Sequence, residues 1–139
     1  MPLVDIDSAK NFLSSLENRS EREELFSIYE RLPYQIINDS PTVKHYTRWD
    51  ILDKLNLKVT EVKGKEITYP SISGYKRIVV HNNVIKESPI SFSQAVGSSL
   101  IKPEDHKLVA LTLSLSRKLE IKQGGKYLIY HYTDEEGIF

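Results

Sequence analysis

Apolar residues recur at helical spacing near the start of the chain, where Ala9, Phe12, Leu13 and Leu16 fall at i, i+3, i+4 and i+7 and mark one buried face. Asp7 or Ser8 supplies the N-cap that such a helix needs. A second helix is predicted from the capping box Ser20-Glu21-Arg22-Glu23, with Leu25, Ile28, Tyr29 and Leu32 as its buried side. Pro33 ends it, because the ring forces the preceding residue out of helical geometry.

From Tyr34 the period shortens towards extended structure. Strands are predicted at 34–37 and 42–46, around the turn at Asn38-Asp39-Ser40-Pro41, followed by a short helix over 48–55. The stretches 57–62 and 66–69, joined at Lys63-Gly64, read as a hairpin. A second hairpin pairs 75–81 with 84–86 across Asn82-Asn83, since Asn tolerates the positive φ of tight turns. A short helix is expected over 91–101. Between 103 and 122, Leu108, Leu111, Leu115 and Leu119 fit a helix, whereas Leu111, Leu113, Leu115, Leu119 and Ile121 fit a strand equally well. Pro103, the acids Glu104 and Asp105 behind it, Arg117 and Lys118 near the end and Gly124 beyond favour the helix. Residues 126–132, aromatic and β-branched, read as a strand.

The resulting expectation is an α+β fold forming one compact domain over residues 1–139. Its sheet would be largely antiparallel with about five or six strands, and the N-terminal helices and one later helix would pack on one face.

Composition narrows the chemistry. With 139 residues, 40% hydrophobic and 27% charged, the chain is large enough to bury a core without crosslinks. The count of zero cysteines excludes thiolate nucleophiles, Cys-ligated zinc, iron–sulfur clusters and disulfides together. No apolar run approaches the ~18–20 residues of a membrane helix, and the first ten residues lack the basic-then-apolar order of a signal peptide. A soluble, intracellular, cytoplasmic protein is expected, with no membrane partner.

A net charge of zero hides an asymmetry. Residues 1–53 carry 6 basic and 10 acidic side chains, residues 54–86 carry 7 and 2, and residues 87–139 carry 6 and 7. The basic excess falls on the predicted hairpins. Lys58, Lys63, Lys65, Lys76 and Arg77 are the candidate ligand-binding residues, for an anionic ligand or the acidic surface of a partner protein. His81 and His106 lie outside any metal-ligand spacing and read as surface residues, so neither a metal nor a cofactor is expected.

The most specific motif is a repeated tripeptide, His45-Tyr46-Thr47 and His131-Tyr132-Thr133, each at the end of a predicted strand. His and Thr two apart on a strand share a face. Both threonines also begin an S/T-x-x-D/E helix-start signature, Thr47 to Asp50 and Thr133 to Glu136, and so read as N-caps. The paired triplets resemble the H-x-T motifs of the 2H phosphoesterases. That resemblance implies metal-independent cleavage of a nucleotide or oligonucleotide phosphodiester, with His45 and His131 as acid and base and Thr47 and Thr133 holding the phosphate. Two readings therefore stand side by side: a small non-catalytic binding or regulatory protein recognising an anionic ligand or partner, and, as the alternative, a 2H-like phosphoesterase.

Overall fold

The structure is a computed structural model that describes residues 2–34, 49–62, 64–93 and 95–139. Helix α1 spans Ile6–Leu13 and helix α2 spans Arg19–Arg31. A single turn, α3, covers Trp49–Leu52, and a 3₁₀ turn at Pro103–Asp105 leads into α4, Lys107–Leu115. The strands are β1, Lys76–His81, β2, Val84–Glu87, and β3, Tyr127–Tyr132, in the order β2-β1-β3.

The fold is α+β, but the expected sheet is corrected. Among the described residues it has three strands, not five or six, and it is mixed: β2 runs antiparallel to β1, whereas β3 runs parallel to it with Ile78 beside Ile129 and Val80 beside His131. The predicted strands at 34–37 and 42–46 lie almost wholly, and His45, Thr47 and Lys63 entirely, outside the described residues. Among its described residues the predicted hairpin at 57–69 forms no ladder. Leu57 makes one parallel bridge to Val4, and the chain beyond it is held by a bond from the Ile138 amide to the Lys58 carbonyl and by side chains. The Val62 amide donates to Asn83 Oδ1 at 2.8 Å, Asn82 Nδ2 donates to the Val62 carbonyl at 3.2 Å, and Asn83 Nδ2 bonds the Thr60 carbonyl. Asparagine amides thus satisfy the backbone groups that a partner strand would otherwise take.

Local signals set most helix positions but not their ends. The cap of α1 is Asp5, whose carboxylate accepts from the Ser8 amide at 3.1 Å, two residues before the expected Asp7. The capping box of α2 is not used: the helix begins at Arg19 behind Asn18 at φ 60°, with no side-chain cap. Its end agrees with Pro33, since Leu32 is already extended at ψ 142°. The described residues of 91–101 form no helix, consistent with the weak propensity of Gly97-Ser98-Ser99, and Ser93 bridges Lys118 instead. Residues 107–115 are helical as expected, but the chain turns extended at Ser116, ψ 157°. No helix follows Thr133, so its reading as an N-cap is overturned.

The hydrophobic core lies among the helices, where Ala9 and Leu13 of α1, Phe26 and Tyr29 of α2 and Ala110 and Leu111 of α4 meet Val4 and Val59. Helix α2 packs mainly on α4, and the strands pack on one another. Among the described residues no helix lies in close backbone contact with a strand, which corrects the expectation of helices laid on one sheet face. The seam between the two parts holds a cavity. No helix among the described residues is long and apolar enough to cross a membrane.

Candidate functional site

Alternation along β1 and β3 gives the sheet two different faces at its C-terminal end. One carries Val80 and His131, and the other carries His81 with Tyr130 and Tyr132. Both strands end here in parallel, and Asn82 stands at the end of β1 between the two faces. Its φ of 53° opens the hairpin turn. Although fully buried, it is bonded throughout: its amide donates to the Tyr132 carbonyl at 2.7 Å, its side chain exchanges two hydrogen bonds with Asp134, and its carbonyl pairs with His131 Nε2 at 3.1 Å.

On the second face, His81 is fully buried and not a surface residue as the sequence suggests. Its Nε2 is 2.9 Å from Asp134 Oδ2 and its Nδ1 is 2.6 Å from the Tyr69 hydroxyl. An ionised carboxylate only accepts, so Nε2 carries a proton and donates it to Asp134. Gly64 covers this pair so closely that a Cβ there would stand 2.2 Å from His81 Nε2, so no substrate can approach the imidazole from that side. Burial raises the Tyr69 phenol above its usual value, and the negative charge of Asp134 adds to the effect. The phenol therefore stays protonated and is not a nucleophile.

Burial also works to raise Asp134, but hydrogen bonds from Asn82, the Lys65 amide and His81 outweigh it and hold the carboxyl below its ordinary range. Since the folded value lies below the ~3.9 of an unfolded chain, this group stabilises the fold fully above that value and progressively less as pH falls through the folded one. Asp134→Asn is expected to flatten the acid limb of the stability curve below about pH 4. Urea unfolding at stepped pH checks this, and an unchanged acid limb would refute it.

The first face borders the seam cavity, of about 340 Å³. Its walls are Phe12 of α1, Leu111 and Leu115 of α4, and Val80 and Ile85 of the sheet, with Ile138 from the chain end. Its polar lining comes from Arg117, His131 and the Asn82-Asn83 turn, with Thr112 and Ser116 from α4 and its end. Arg117 is half-buried and fixed by one bond, Nη2 to the Asn83 carbonyl at 3.0 Å. Among the described residues no carboxylate pairs with it. Four of its five N–H donors remain for other acceptors. Small-molecule sites have this composition: apolar walls of at least ~300 Å³ and a few convergent polar groups.

The candidate residues from the sequence are dispersed. Lys58 pairs with Asp5 at 3.3 Å, and Lys65 lies beside Asp134. Lys76 sits over the Tyr127 ring at the opposite end of β1, roughly 16 Å away along the strand. Arg77 is taken up by Glu87 at 2.6 Å and by the Tyr69 and Pro70 carbonyls. Of the paired motif, His131 and Thr133 are exposed at the end of β3, and His131 borders the cavity. His81, the nearest histidine along the paired strands, faces the other side of the sheet. His106 is half-buried and caps α4, its Nδ1 accepting from the Leu108 amide at 3.2 Å. Among the described residues no three His, Asp or Glu side chains converge as metal ligands would.

Sequence reasoning missed Arg117, Asn82 and the Tyr69–His81–Asp134 network. Arg117 looks like a basic residue closing a helix, and Asn82 like an ordinary turn residue. The network's members lie 12 and 53 residues apart, with no local pattern to join them. Compared with known proteins, the chain matches no family model, no curated protein and no solved structure.

Proposed function

We propose that this chain is a small, non-catalytic binding protein that takes an anionic ligand with an apolar body into the cavity between its helices and its sheet. The observation that carries the reading is Arg117, a guanidinium at the edge of an apolar cavity with no carboxylate partner among the described residues. A cation held beside low-dielectric walls favours an anion there more strongly than one in open water. His131 stands beside it, its ring aligned by the Asn82 carbonyl. The sequence already pointed to an anionic ligand, and the reading moves its recognition from the dispersed lysines to this one place.

Anilinonaphthalene sulfonate, an aromatic anion, is a suitable probe. Saturable binding at one site is expected, with a loss of about ten- to a hundredfold in affinity for Arg117→Gln, the worth of one charged hydrogen bond. Fluorescence titration reads the affinity, and an unchanged thermal midpoint shows that the fold is intact. Equal affinity of the two proteins would overturn the proposal.

A further inference from the structure

Arg117 belongs to two depressions at once. Beyond the seam cavity, a second hollow of about 400 Å³ runs along β2, lined by Lys86, Ser88 and Ser91, and it shares Ile85, Phe92 and Arg117 with the first. The two hollows differ in balance: the first is walled mainly by aliphatic and aromatic side chains, whereas the second sets an ammonium, a carboxylate and two serine hydroxyls beside Ile85, Ile90 and Phe92. The guanidinium stands where they meet, anchored by Asn83. Glu87, the carboxylate of the second hollow, is held by Arg77 at 2.6 Å, which offsets its repulsion of an anion.

An anion placed at this junction has ligand on both sides of it. A carboxylate ends its molecule, and loses its charge when esterified. A phosphodiester keeps one negative charge while bonded on both sides. We infer that the ligand is a single-chain amphiphile built around a phosphodiester: its hydrocarbon chain fills the seam cavity, its phosphate meets Arg117, and its polar headgroup lies along Lys86, Ser88 and Ser91. This inference rests on the binding reading above and adds the ligand class.

Calorimetric titration of the whole chain with decanoate, decyl phosphate and decanoyl lysophosphatidylglycerol, each below its micelle concentration, tests it. The diester is expected to bind about tenfold more tightly than decanoate. Ser91→Trp, which fills the second hollow, should bring the ratio of the two affinities close to one. Leu115→Trp and, as a second cavity-filling variant, Val80→Phe should weaken all three ligands, with thermal unfolding as the check on folding. Equal binding of decanoate and the diester, or a ratio that Ser91→Trp leaves intact, overturns the diester while the binding reading stands. Failure of all three to bind overturns both.

Discussion

Arg22→Met is expected to lower the free energy of unfolding by about 3–5 kcal/mol, whereas Arg19→Met, three residues away on the same helix, should cost no more than ~0.5 kcal/mol. Both residues are arginines of α2, and only their surroundings differ. Arg19 is exposed and pairs with Glu23 one turn on, an interaction weakened by solvent. Arg22 is fully buried, with Nε donating to the Glu17 carbonyl at 2.7 Å and Nη1 to the carbonyls of Ser114 and Ser116 at 3.0 and 2.8 Å. It joins the segment before α2 to the end of α4, where the chain leaves the helix and its last carbonyls lack internal partners. Methionine fills much of the volume but donates nothing, so three carbonyls lose their partners at about 1–3 kcal/mol each, less whatever water recovers. Urea denaturation of the two variants decides the matter. Equal losses would show that the buried guanidinium is not a clamp.

His81→Ala should be the second most damaging substitution, at about 2–4 kcal/mol, from a cavity left beneath residues 64–69 and two polar partners stranded. The ring lies among Tyr69 and Tyr132 as well as between its hydrogen-bond partners, so the loss combines packing with polarity. Tyr69→Phe keeps the ring packing and removes only the hydroxyl, and its effect should be distinctly smaller. A double-mutant cycle between positions 81 and 134 should give a coupling above ~0.5 kcal/mol, because the two residues share one network. Additive losses would mean that the imidazole and the carboxylate act separately. In either case, affinity for the anionic probe should fall less than with Arg117→Gln, since His81 faces away from the cavity.

The binding reading and the stability of the sheet meet at Asn82. Its side chain holds Asp134 on one side, and its carbonyl aligns His131 beside the cavity on the other. This residue links a purely structural network to the proposed site without contributing a charge to either.

What the sequence determined by itself is local. The apolar stripes of α1 and α2, the stop at Pro33, the Asn82 turn between β1 and β2, and the aromatic run of β3 were all legible, since each depends on neighbours within a few residues. Boundaries slipped where a tertiary partner outweighed a local signal, as at Ser116, whose carbonyl is taken by Arg22 from the far end of the chain. The tertiary structure alone decided that β3 lies parallel to β1, that Thr60 and Val62 are held by asparagine side chains instead of a partner strand, and that His81 is buried. It also decided where Arg117 stands, in the seam between helices and sheet. These features arise from contacts between residues roughly 20 to 90 positions apart, and a chain records such contacts in no periodicity or motif, because the geometry that creates them exists only once the elements have packed.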